Sequence, residues 1–261
     1  MKKILFLVLP AILALALYNY VPQLFSAGGE KQKPSETNSL YLPAERTGDD
    51  IYHYTGFSLS YNDNHEQADW VAYELTDAEL VKKVKRSDRF IPDPNIESRS
   101  AQNDDYRKSG YSRGHLAPAA DMAWSPEAME ESFYFSNISP QTQEFNNGIW
   151  RKLEEDIRRW AKKYKSVHIV TGPVFTEGMK RIGKSRVSVP EYFFKSVLVY
   201  WDGSYRSLAF IIPQNTTAKK YTDHAVSIDE IESKTGLDLF YQLPDSLESV
   251  LESKVNKNFG R

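Results

Sequence analysis

Apolar and polar positions divide the 261 residues into three zones. An uncharged stretch from Ile4 to Phe25 follows Lys2 and Lys3, a polar segment runs from Gly28 to Ser39, and the remainder alternates apolar runs with charged loops. Within the third zone, GFSLSY (56–61) and ADWVAYEL (68–75) alternate bulky with small or polar residues, the period-2 pattern of half-buried strands. SVHIVTGPVF (166–175), YFFKSVLVYW (192–201) and YRSLAFIIP (205–213) are nearly continuous apolar runs that predict buried strands, with Asp202-Gly203 as a hairpin turn between the last two.

Between these groups the period changes. From 142 to 163, Ile149, Trp150, Leu153, Ile157 and Trp160 recur at three- and four-residue steps, predicting an amphipathic helix. Asn146, Trp150, Glu154 and Arg158 step around that cylinder by about 40° each, making one slanted row beside the apolar stripe. A shorter helix is expected within 227–240, where Ser227 can cap the start, Glu230 follows three residues on, and Gly236 can end it.

Composition narrows the class. The 13% aromatic content argues against a disordered chain, and the residues after the linker suffice for one α/β core. We assign 1–27 to a signal anchor or signal peptide, 28–50 to a polar linker and 51–261 to one folded domain. At 1.5 Å per residue, Ile4 to Phe25 is long enough to cross a hydrocarbon core of about 30 Å. Lysines at its inner end place the domain outside the cytoplasm, membrane-anchored on a periplasmic or extracellular face, or secreted if the segment is cleaved. Leu24 and Phe25 leave no clean small-x-small cleavage site, and the start lacks the Arg- and Ser-rich character of a mitochondrial transit peptide. With no cysteine, disulfides and thiolate metal sites are excluded.

The net charge of −2 is unevenly spread. Arg151 to Arg186 holds eleven Lys and Arg against four Asp and Glu, whereas Pro213 to Ser253 holds three lysines against eight acids. A basic surface near the predicted long helix can hold phosphates while the acidic side keeps the chain soluble. No zinc-finger spacing, helix-turn-helix or aromatic RNA-binding signature is present, so contacts to phosphate and sugar, which carry little sequence information, are expected to dominate.

Chemistry concentrates in SRGHLAPAADM (112–122). Arg113 offers a planar cation that can fork onto a phosphate, and His115, with an ordinary pKa of about 6.5, can take a proton from water near neutral pH. Ser136-Asn137-Ile138-Ser139-Pro140-Gln141 follows, then Asn146-Asn147-Gly148-Ile149-Trp150-Arg151-Lys152-Leu153-Glu154 with Arg158 four residues on. Three such blocks in this order resemble the DNA/RNA non-specific endonuclease family, the ββα-metal nucleases, over about Tyr54 to Leu243.

The resemblance implies an α/β fold of α+β type: a ββα-metal nuclease domain with a mainly antiparallel central sheet flanked by helices, here preceded by one N-terminal hydrophobic helix. It implies His115 as general base and Asn146 as direct ligand of a mostly hydrated Mg2+ (or Mn2+), with Glu154 holding a water on that ion. Arg158 faces the phosphate, Asn137 orients the site, and an upstream arginine is expected, for which Arg86 fits the spacing to Phe90 better than Arg89. The implied substrates are DNA and RNA without strong sequence preference, and a homodimer suits the family. The family's aspartate before Arg-Gly-His is replaced by Ser112, which would support Arg113 and His115 through a hydroxyl instead.

Two other readings draw on Ser112. Gly110-Tyr111-Ser112-Arg113-Gly114 matches the G-x-S-x-G pattern of serine hydrolases, with His168 or His224 as base, although that motif requires a strand-to-helix turn and polar sequence precedes it here. Loss of the aspartate also motivates a membrane-tethered nucleic-acid-binding protein without catalysis.

Overall fold

The Asp202-Gly203 turn has positive φ at both residues, 51° and 74°, the geometry of the two-residue hairpin loop whose twist matches its strands. It joins β9 (Tyr192–Trp201) to β10 (Ser204–Pro213) in the computed structural model, which describes residues 42–98 and 100–256. Around this hairpin lies a seven-stranded sheet of order β1-β2-β3-β6-β9-β10-β11, antiparallel at every pair, in which β1 is Asp50–His53, β2 Ser58–Asn62, β3 Gln67–Thr76, β6 Ser166–Val174 and β11 Ala225–Val226. Two small ribbons stand apart, β4 (Ser112–His115) with β5 (Ile138–Gln141) and β7 (Arg181–Ile182) with β8 (Val187–Ser188).

Side-chain alternation gives the sheet two covered faces. Phe193, Val197, Val199, Leu208 and Phe210 share one core with Leu153, Ile157 and Trp160 of α2 (Arg151–Tyr164). Phe194, Leu198, Ala209 and Ile211 share the other with Ile228 and Ile231 of α3 (Ile228–Thr235) and with Leu247 and Leu251 of α4 (Asp245–Glu252). A short helix, α1 (Pro126–Glu131), lies between β4 and β5 and is capped by Ser125. Helix α3 has the expected ends: the Ser227 hydroxyl accepts from the Glu230 N–H, and Gly236 closes it at φ 68°.

Two differences from the sequence reading stand out. The helix expected over 142–163 is not one cylinder, because Asn146–Trp150 forms a π turn in which Gly148 departs from helical dihedrals, so α2 proper begins at Arg151. Residues 42–50, assigned to the linker, are bonded to the domain: the Ala44 N–H donates to the Asp238 carbonyl at 2.8 Å, and Arg46 pairs with Asp49 and Asp69. The expected N-terminal hydrophobic helix lies outside the described residues.

Candidate active site

The β4–β5 ribbon followed by the π turn and α2 makes a ββα unit, and the site is built on it. Gly114 opposes Ser139 in the ribbon, and the buried Gln141 side chain crosses over it so closely that a Cβ on Gly114 would lie 2.1 Å from Gln141 Oε1. A glycine is required there, between the arginine and the histidine.

Arg113 and His115 sit two residues apart on one strand and so project to the same side. The Arg113 guanidinium lies 4.1 Å from the Phe90 ring centroid and donates to Asn103 Oδ1. The His115 ring packs edge-on against Phe133 at 4.7 Å and tilted against Phe90 at 5.4 Å. Its Nε2 is enclosed without a hydrogen-bond partner, which leaves Nδ1, bonded to no described residue, as the nitrogen free to take a proton. Burial lowers the imidazole pKa to about 3, and the charges of Arg86 and Arg113 push the same way. Arg86 itself is exposed, its guanidinium 5.1 Å from the Phe133 ring centroid, whereas Arg89 has no comparable contact among the described residues.

Asn137 has a different job. Its Oδ1 accepts from the Ala117 N–H, and its Nδ2 donates to the Ala117 and Ser132 carbonyls, each at 2.9 Å. These bonds anchor the chain just after His115 and leave the amide nothing to offer a substrate, so the geometry makes it a positioning residue.

Across the ribbon, Asn146 Nδ2 donates to Ser112 Oγ at 3.3 Å, and Ser112 Oγ donates to the Gln141 carbonyl at 2.8 Å. Ser112 therefore couples the start of the π turn to the strand that carries His115. Neither Asn146 Oδ1 nor the Glu154 carboxylate accepts a hydrogen bond from a described residue. Arg158 donates to Asp121 Oδ1 at 2.8 Å, and Tyr73 donates to the other oxygen of Asp121 at 3.0 Å.

Three residues of this network were missed by the sequence reading. Lys195 of β9 is fully buried, 4.6 Å from the Trp150 ring centroid, and its charge acts on Glu154 and Asp121. Burial lowers the Lys195 ammonium and raises the Glu154 carboxyl, each partly offset by the other's charge. A lysine inside YFFKSVLVYW was the available signal, since a cation in a doubly covered strand needs a partner. Asp121 and Tyr73 carry no comparable mark. Beside Arg113 and Ser112 lies an open cleft of about 770 Å³, also lined by Phe90, Asn103, Tyr111 and Gln143.

Among the described residues no histidine hydrogen-bonds the Ser112 hydroxyl: His168 faces Glu74 at 3.7 Å, and His224 bonds Thr216 at 2.8 Å. Ser112 also lies inside a strand rather than on a strand-to-helix turn. The serine-hydrolase reading is thereby corrected.

A family model described as DNA/RNA non-specific endonuclease matches residues 36–246. The chain is 35% identical over 246 residues to the mitochondrial nuclease EXOG of Danio rerio, covering 88% of this chain and 71% of that one. It is 32% identical over 254 residues to the mitochondrial endonuclease G of Caenorhabditis elegans, covering 86% and 82% of the two chains. Among solved structures, the EndoG/EndoGI complex contains a chain that superposes with a TM-score of 0.75 at 29% identity, covering 83% of this chain and 96% of that one. The family model and the relatives define a hydrolase of the nuclease class. The chain belongs to the DNA/RNA non-specific endonuclease family.

The relatives also correct the expected location. Those of Danio rerio, Saccharomyces cerevisiae and Caenorhabditis elegans carry mitochondrial names, and among the described residues no helix is long and apolar enough to cross a membrane. A membrane-anchored domain on the periplasmic or extracellular face, the reading drawn from 4–25, therefore does not stand, and the segment that suggested it lies outside the described residues.

Proposed function

We propose that this chain hydrolyses phosphodiester bonds of DNA and RNA without strong sequence preference, leaving 5′-phosphate and 3′-hydroxyl ends. The observation that carries this reading is His115, a buried ring packed against Phe90 and Phe133 beside Arg86 and Arg113, whose Nδ1 hydrogen-bonds no described residue. A neutral imidazole in that position can take the proton of an attacking water. Phe90 and Phe133 fix the ring plane, and Asn137 fixes the backbone behind it.

Arg113 and Arg86 bring positive charge to the same side as His115. The partner of Arg113, Asn103, is exposed and neutral, so a phosphate oxygen can replace it while keeping a charge-assisted hydrogen bond. Arg158, oriented by Asp121, presents its remaining donors to the charge that builds on the phosphate.

Asn146 Oδ1 and the Glu154 carboxylate are oxygen donors without hydrogen bonds from the described residues, a donor set that fits a hard divalent cation such as Mg2+ or Mn2+. Asn146 would hold the ion directly and Glu154 through a water. When bound, such an ion supplies charge stabilisation for the phosphate and the leaving 3′ oxygen.

The test is incubation of supercoiled plasmid and total RNA with Mg2+, with Mn2+ or with EDTA, followed by analysis of product ends. Degradation of both polymers, arrest by EDTA and ends that a ligase can rejoin are expected. Cleavage that persists in EDTA, or 3′-phosphate ends, would overturn the reading.

A further inference from the structure

Residues 228–252 of the acidic stretch fold onto the face of the sheet opposite α2, and their carboxylates are not evenly scattered there. Asp229 and Glu232 near the start of α3 meet Glu252 at the end of α4, with one carboxylate oxygen from each within 4.8 Å of the others. Glu252 is 8% exposed, and its Oε1 is enclosed with no hydrogen-bond partner. Among the described residues no Lys, Arg or His forms an ion pair with any of the three. Among the described residues, the hydrogen bond that reaches the cluster's carboxylates from outside is from the Leu239 N–H to Glu232 Oε1, at 2.7 Å.

A buried carboxylate facing other carboxylates has two ways to shed the surplus charge, a proton or a cation.

We propose that Asp229, Glu232 and Glu252 form a calcium site that pins the end of α4 to the start of α3. The ligands are all carboxylates, which excludes the nitrogen and sulfur sets preferred by zinc. An all-carboxylate set completed by solvent suits the flexible shell of Ca2+, with bonds of about 2.3–2.6 Å, whereas Mg2+ demands a tighter octahedron and keeps most of its waters. The remaining positions would be filled by solvent, since Asp229 is exposed. The site is separate from Asn146 and Glu154, and its role is to stabilise the C-terminal helices rather than to take part in hydrolysis.

Calorimetric titration of CaCl2 into the full-length chain, paired with thermal melts, tests this. The unaltered chain should bind one Ca2+ with Kd of about 0.1–1 mM and melt about 2–4 °C higher in excess calcium. Asn146→Ala should keep both effects. Glu252→Gln should lose both while melting at least as high as the unaltered chain in EDTA, because the like-charge repulsion is gone, and its Mg2+-dependent nuclease activity should stay within about twofold. Should Glu252→Gln fail to fold, the exposed Asp229→Asn decides, with affinity expected to fall about tenfold. Absence of binding, binding that persists in the folded Glu252→Gln chain or unchanged in Asp229→Asn, or binding lost in Asn146→Ala would overturn the proposal.

Discussion

Asn146 Nδ2 and Ser112 Oγ are joined by a 3.3 Å hydrogen bond, and the same hydroxyl reaches on to the Gln141 carbonyl. The amide is thus turned so that its oxygen, the candidate metal ligand, points away from Ser112. In Ser112→Ala the amide loses that guide, at a cost of about 1 kcal/mol, or roughly fivefold in an equilibrium. The Mg2+ concentration for half-maximal plasmid cleavage should rise by about that factor, with the rate at saturating Mg2+ little changed. An unaltered Mg2+ requirement would show that Ser112 does not orient Asn146.

The buried neutral state of His115 has a thermodynamic consequence. Its pKa is about 3 in the folded chain against about 6.5 unfolded, so between those values the unfolded chain binds a proton that the folded chain refuses. The stability tied to this group is complete above pH 6.5 and drains as pH falls toward 3. Urea unfolding at pH 7.5 and 4.5 should show a loss about 2–3 kcal/mol larger for the unaltered chain than for His115→Asn. Equal losses would mean that His115 is not held neutral.

Much of this architecture is readable from local sequence. The Asp202-Gly203 hairpin, the caps of α3 and the Arg-Gly-His strand each rest on residues within a few positions of one another. The π turn at Asn146 is not readable that way, because the same apolar spacing suits an unbroken α-helix, whereas the chain departs from helical dihedrals at Gly148. Lys195 was hidden for a related reason: a ten-residue apolar strand is recognised as buried without showing which face each residue takes or what helix lies over it. Asp121 and Tyr73 meet Arg158 only once β3 and α2 are packed.

Lys195 sits where its charge holds down the Glu154 carboxyl, which burial raises. In Lys195→Met the carboxyl should take a proton more readily, so the acid limb of the pH–activity profile should shift to higher pH, with part of the lost activity recovered between pH 8 and 9. Removing one partner of a buried pair should also cost about 3–5 kcal/mol in urea unfolding. A variant that is merely less stable, with an unshifted profile, would assign Lys195 to the core alone.

Gly114→Ala places a methyl group against the side chain of Gln141. Overpacking of this kind costs about 1–3 kcal/mol, and shortening the opposing chain in Gly114→Ala/Gln141→Ala should recover part of it. A double-mutant cycle in urea tests the coupling, and strict additivity would show that the two do not meet.

The central claim is that His115 removes the proton from the attacking water. Its most direct test is kcat/KM for plasmid and RNA cleavage by His115→Ala beside the unaltered chain at matched Mg2+, with DNA affinity measured in EDTA. The account predicts a fall of about 10²–10⁴-fold on both polymers, with affinity within a few-fold of normal. Cleavage by His115→Ala at a rate near that of the unaltered chain would contradict it.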